Sequence, residues 1–300
     1  MRYRALLGYD GTAYRGLQWQ PGVPTVQGEV ERALAEVTRQ RVRILAAGRT
    51  DAGVHATGQV IAFDVTWQHE AIDLHRALNA MMAADIVVRR LEPAPADFHP
   101  RYEARGRVYR YTILNQPWRD PLLRRVTYHL PEPLDEVAMD QAAKTLVGLH
   151  DFAAFGRPLW DGGHTVRRVS RARCWRESSL VHFEIEANAF LRRMMRRLIG
   201  TLVWVGRGQC SVADFMAILS AGPEGKGAAP LPPQGLCLRQ VLYEWQWGQA
   251  LKAEGVVSSE NARGESGGDP AGVVGGGCQR EEPGAFRLSH CAYPAGQTQA

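Results

Sequence analysis

The chain has 300 residues, 45% of them hydrophobic, enough for about two domains with cores of their own and far from the composition of a wholly disordered protein. Its longest apolar stretch, 198–206, falls well short of the roughly 20 residues that span a bilayer, and Met1-Arg2-Tyr3-Arg4 has no apolar signal core. No membrane partner is therefore expected, and the cytoplasm is the expected location. Lysine and arginine number 36 against 31 acids, a formal charge of +5, which favours a polyanionic partner.

Apolar periodicity predicts a strand over 3–9, a helix over 26–38, strands over 42–46 and 58–65, a helix over 72–82 and a strand over 86–91. Thr25 precedes the first helix as its cap, and Val30, Leu34 and Val37 continue one apolar stripe. The proline-rich stretch 93–100 reads as a linker. After it the order returns: strand 107–114, helix 134–146, strands 165–175 and 180–187, helix 190–205, a short helix 212–219 and a strand 238–245. Two β-α-β-β-α-β runs in tandem predict an α+β protein of two ferredoxin-like (split βαβ) halves, 1–104 and 105–248, their sheets merged or facing each other across a cleft.

From Gln249 the pattern ends. The segment 249–300 holds ten of the 31 glycines and little apolar periodicity, so it is expected to be a disordered Gly-rich tail. Four bases and six acids give this tail a charge of −2, so the overall +5 is made up of this and +7 on the folded part. The five cysteines include no CxxC pair, and the nine histidines form no HExxH. Neither a disulfide framework nor a metal site is expected.

Three segments concentrate functional groups. Gly48-Arg49-Thr50-Asp51-Ala52-Gly53-Val54-His55-Ala56 connects two predicted strands. Asp and Gly at this spacing are ordinary turn chemistry, but so many polar side chains in a connection longer than a simple hairpin favour a site. In Arg105-Gly106-Arg107-Val108-Tyr109-Arg110-Tyr111, period two places Arg107 and Tyr109 on one strand face, where they could grip phosphate and stack on bases or simply form a solvated aromatic face. In 190–198, helical spacing gathers Arg192, Arg193, Arg196 and Arg197 on an arc opposite Phe190, Leu191, Met194, Met195 and Leu198. Uncompensated charges on one helix face repel one another, and an anionic partner or a carboxylate would relieve them. Gly225-Lys226-Gly227 lacks the Ser or Thr of a P-loop, and no G-x-S-x-G or post-strand GxGxxG is present.

The nine residues from Gly48 to Ala56 resemble the signature of the TruA-type tRNA pseudouridine synthases. Tyr9-Asp10-Gly11-Thr12, Gly16 with Gln18-Trp19-Gln20, Thr25-Val26-Gln27, Tyr109-Arg110-Tyr111, Asn188-Ala189-Phe190 with Met195-Arg196, and Gly235-Leu236-Cys237-Leu238 follow in the family's order. The likeness covers 1–247; Leu17 stands where the family usually has Trp, and the tail has no counterpart. The resemblance implies a mixed, mostly antiparallel sheet with helices on one side and a central RNA-binding cleft. It implies isomerisation of uridine to pseudouridine at positions 38, 39 and 40 of the tRNA anticodon stem-loop, by a homodimer without cofactor or metal. On this mapping Asp51 is catalytic, Arg49 helps extrude the target nucleotide, Tyr109 stacks on the flipped uracil and Arg196 pairs with Asp51. His55, Arg107, Arg192 and Arg193 are further candidate RNA contacts.

The assigned roles agree with residue chemistry. Unstacking a base costs a few kcal/mol, and an aromatic floor recovers roughly 1 to 3 kcal/mol of it. A closed pocket disfavours a carboxylate anion, and a guanidinium opposes that effect. The alternatives are a noncatalytic tRNA-binding protein on the same scaffold and an acid–base hydrolase built on Asp51 and His55.

Overall fold

The computed structural model describes residues 1–158 and 162–247; the tail 249–300 lies outside the described residues. The first half runs β1 (Arg2–Tyr9), α1 (Val26–Thr38), β2 (Leu45–Ala46), β3 (His55–Asp64), α2 (Ala71–Met81) and β4 (Ile86–Pro93). The second runs β5 (Gly106–Leu114), β6 (Tyr128–His129), α3 (Glu136–Lys144), β7 (Gly148–Asp151), β8 (Val166–Glu177), β9 (Leu180–Ala187), α4 (Met194–Gly206), α5 (Val212–Ser220) and β10 (Leu236–Leu242). Among the described residues these strands form one ten-stranded, mostly antiparallel sheet, in the order β4-β1-β3-β10-β5-β9-β8-β7, with β2 beside β3 and β6 beside β5. The two predicted sheets are therefore merged.

Local chemistry accounts for most boundaries. Thr25 Oγ1 accepts from the Gly28 amide at 3.2 Å, satisfying one of the free donors at the start of α1, while Val26, Val30, Ala33 and Leu34 are buried. Strict alternation in β1 sends Tyr3, Ala5 and Leu7 into the core. Asp135 caps α3 through the Val137 and Ala138 amides, so that helix starts later than predicted. One contiguous cluster of buried side chains runs through both halves.

Several expectations are corrected. The strand predicted over 42–46 is paired only at Leu45 and Ala46, because the Ile44 amide donates to the Glu31 carboxylate on α1. Strand β3 begins at His55 rather than 58. The helix predicted over 190–205 starts at Met194: the Arg192 amide is committed to the Arg157 carbonyl and Arg193 holds φ 62°, so the apolar spacing of Phe190 and Leu191 belongs to a loop. The last strand ends at Leu242, and β6 and β7 were not predicted.

Strand β10 joins the halves. It pairs in parallel with the start of β3, Cys237 opposite His55 and Leu238 opposite Ala56, and antiparallel with β5, where Leu238 faces Tyr109. The same edge of β3 takes β2 further along, at Ile61 and Ala62. The connection from β2 to β3 thus leaves the sheet at a fork in its strand pairing, and it carries Asp51.

Away from this fork the sheet buries a single carboxylate under more exposed arginines. Glu184 is in register with Arg110 of β5 and Arg173 of β8, its carboxylate 2.8 Å from Arg110 and 3.2 Å from both Arg171 and Arg173. Burial pushes the Glu184 carboxyl up, but the guanidinium groups outweigh it and hold the carboxyl below its ordinary value of 4.5. A folded-state pKa below the unfolded one gives stability that is present above the unfolded value and lost as pH falls through the folded one. Glu184→Gln should therefore lower the melting temperature at neutral pH, and its deficit relative to the parent should shrink on acidification below the ordinary glutamate range. A variant that melts like the parent at neutral pH would show that the cluster adds no net stability.

Candidate active site

The connection 47–54 is tied down by backbone and buried side chains. The Tyr9 hydroxyl lies 2.9 Å from Thr50 Oγ1, the Leu17 amide donates to the Thr50 carbonyl at 3.1 Å, and the Gly53 amide donates to the Tyr14 carbonyl at 3.3 Å. Gln59 Nε2 of β3 holds the Gly48 carbonyl at 2.9 Å. Burial pushes the Tyr9 phenol up to about 12, against the Thr50 hydrogen bond, so it stays protonated at neutral pH. The Val54 amide closes a turn onto the Asp51 carbonyl at 3.1 Å, and Gly53 supplies the left-handed φ of 77° this turn requires. Gly11 supports the loop at close range: a Cβ there would stand 2.0 Å from the Val54 carbonyl oxygen.

Opposite the loop stand β5 and the first turn of α4. Tyr109 is nearly buried, with Phe190 edge-on at 4.9 Å. Arg196 Nε donates to the Leu231 carbonyl, and the Leu231 amide donates back to the Arg196 carbonyl at 3.0 Å, so both ends of the residue are fixed to one segment. Its Nη1 lies 3.7 Å from Asp51 Oδ2. That distance gives Coulombic attraction but is too long for a hydrogen bond, and it leaves the carboxylate lone pairs free. Burial lowers the Arg196 pKa and the Asp51 charge pulls it back. Asp51 is 38% exposed and Arg196 only 16%, so the carboxylate faces the open cleft while the guanidinium supports it from the protein side.

The segment from Leu231 to Gly235 binds these parts together. Beyond its pairing with Arg196, the Pro232 carbonyl accepts from the Tyr111 hydroxyl at 2.8 Å, and the Gln234 carbonyl lies 3.1 Å from His55 Nε2. A Cβ on Gly53 would come 2.8 Å from the Pro233 ring. Sequence reasoning missed this strap because it acts through main-chain carbonyls.

The resulting cleft has a volume of about 650 Å³, and its walls include Arg49, Asp51, Arg107, Tyr109, Arg192, Arg193 and Arg196. The structure thus brings together seven of the eight residues singled out in the sequence. The exposed Arg49 and the exposed pair Arg192 and Arg193 present their side chains at this cleft. Arg107 also donates to the carbonyls of Asn188, Ala47 and Arg101, joining the two walls, and burial lowers its pKa. His55 is set apart. It is buried behind the loop, with Nδ1 3.0 Å from the Gly11 amide and 3.1 Å from Asp10 Oδ1, and its Nε2 hydrogen is taken by Gln234. Both ring nitrogens are engaged away from Asp51, a poor arrangement for an Asp–His acid–base pair. Leu17 is buried and fills a packing position. Among the described residues no group of three or more His, Cys, Asp or Glu side chains could hold a metal.

Comparison with known proteins gives consistent results. A family model described as tRNA pseudouridine synthase matches residues 5–103 and 142–244. The chain is similar to tRNA pseudouridine synthase A of Citrifermentans bemidjiense, 40% identical over 242 residues that cover 80% of this chain and 97% of that protein. The protein of the same name from Roseiflexus castenholzii is 43% identical over 252 residues, covering 81% and 91%. That from Moorella thermoacetica is 42% identical over 242 residues, covering 79% and 97%.

The close contact beneath the loop can be tested directly. Gly11→Ala forces a methyl group into the Val54 carbonyl, and overpacking of this kind costs about 1 to 3 kcal/mol. Thermal unfolding should show a lower midpoint, and an unchanged midpoint would mean that the loop shifts without penalty.

Proposed function

The chain belongs to the tRNA pseudouridine synthase family, and from that premise we propose that Asp51 is the carboxylate that isomerises uridine to pseudouridine in tRNA. The observation that carries this reading is the Asp51–Arg196 pair, 3.7 Å apart in the cleft, with the carboxylate facing the opening. The reaction breaks the N1–C1′ glycosidic bond, turns the uracil and joins C1′ to C5, whose hydrogen is released to water. The base must leave the helical stack and stay trapped while this happens.

Each neighbour then has a task. Arg196 supports negative charge on Asp51 with a cation that cannot be titrated at cellular pH, without occupying the oxygens that must reach C1′, C6 or a sugar proton. Tyr109 offers a ring for the flipped uracil, worth roughly 1 to 3 kcal/mol of stacking. Arg49, exposed on the loop next to Asp51, fills the gap the nucleotide leaves in the helix. Arg192 and Arg193 meet the flanking backbone. The reading extends to positions 38, 39 and 40 of the anticodon stem-loop, to a homodimer and to the cytoplasm. Among the described residues no helix is long and apolar enough to cross a membrane.

Two variants test these assignments. Asp51→Asn should reduce release of tritium from C5-labelled uridine in tRNA to background while tRNA affinity stays within a few fold; normal release would remove Asp51 from the mechanism, and binding without turnover in the parent protein would favour a noncatalytic binder. Tyr109→Phe keeps the ring and should retain tRNA binding in a fluorescence titration, whereas Tyr109→Ala loses the ring. Loss of binding in the Phe variant would assign the contact to the hydroxyl.

A further inference from the structure

Beside the cleft lies a second concavity of about 430 Å³, lined by Ala153, Ala154, Gly156, Arg157, Arg192, Arg193 and Arg197. Its charged walls are all arginine, and its remaining walls are small residues that leave the space open. The chain builds it deliberately. The Arg192 amide bonds the Arg157 carbonyl at 2.9 Å, in an isolated bridge between two distant segments. Gly156 permits this approach, since a Cβ there would come 2.6 Å from the Leu191 Cβ. Arg193 takes a left-handed φ of 62°, a conformation that a residue with a Cβ rarely adopts and that marks functional positions.

Among the described residues no carboxylate forms an ion pair with any of these four arginines. Like charges gathered in this way repel one another until an anion separates them. Arg192 and Arg193 line both concavities, so a strand whose nucleotide sits at Asp51 passes directly from one to the other. Guanidinium forks match phosphate oxygens.

We propose that the pocket of Arg157, Arg192, Arg193 and Arg197 binds backbone phosphates of the tRNA strand adjoining the target uridine. This rests on the synthase reading and extends the contact surface to Arg157 and Arg197. The test is tRNA binding as a function of salt in an Asp51→Asn background, where turnover plays no part. Each phosphate contact contributes roughly 0.7 to 0.9 to the slope of log affinity against log salt. The exposed Arg157→Gln should lower that slope by about 0.7 to 0.9, and Arg157→Gln with Arg197→Gln by roughly 1.4 to 1.8, with at least a ~10-fold weaker Kd for the pair at low salt. Arg157→Lys with Arg197→Lys keeps the charge and should keep the slope. An unchanged slope in both Gln variants would overturn the proposal, as would a Lys pair as weak as the Gln pair, which would assign the loss to packing. Failure of the synthase reading would appear separately, as tRNA binding by the parent protein without tritium release.

Discussion

The attraction between Asp51 and Arg196 sets the main requirement on this fold, because the two charges come from opposite halves of the chain and neither is placed by its own element alone. Asp51 is carried by a connection that leaves the sheet at a fork, and Arg196 by the first turn of a helix that begins only after a left-handed residue. The strap from Leu231 to Gly235 reconciles them. It holds Arg196 by a reciprocal pair of hydrogen bonds, packs Pro233 against Gly53 and takes up the His55 imidazole. A guanidinium held by a main-chain carbonyl keeps its position whether or not the carboxylate is engaged elsewhere, which suits a pair in which only one member has to react.

The polar groups behind the cleft are spent on structure. Tyr9, Thr50, His55, Gln59 and Arg107 are all buried or nearly so, and each is hydrogen-bonded to a main-chain carbonyl or a hydroxyl of a neighbouring segment. Buried polar networks of this kind specify one arrangement, since any displacement strands a donor without water to replace it. The groups facing the opening are different: Asp51, Arg49 and Tyr109 have few or no internal hydrogen bonds and keep their chemistry for a ligand.

Much of this was legible from residues alone. The order of helices and strands followed periodicity, and α1 was marked by Thr25 and its apolar stripe. The density of polar groups around Asp51 singled out the loop. The misses have physical causes. Phe190 and Leu191 continue the apolar spacing of α4, but a hydrogen bond to Arg157 holds their segment outside the helix. Val42 and Ile44 have strand-forming side chains, yet Glu31 takes the amide that pairing would use. His55 looked like a site residue because it lies four positions from Asp51, whereas the first residue of β3 points it into the protein. Arg107 stands in the cleft wall as its residue type suggested, but its donors also join three backbone segments. Such assignments depend on which tertiary partner wins a donor, and local patterns do not encode that.

The position of β10 has a consequence for how the protein comes into being. Although it is the last strand among the described residues, it is inserted at the centre of the sheet, between the first half and the rest of the second, directly after the strap. A ribosome-bound fragment that ends before residue 236 has both charged groups but lacks the strand that pairs with both β3 and β5. Synthesis of a chain of this length takes tens of seconds at ~5 to 20 residues per second, so β3 and β5 wait on β10 before the centre of the sheet is complete.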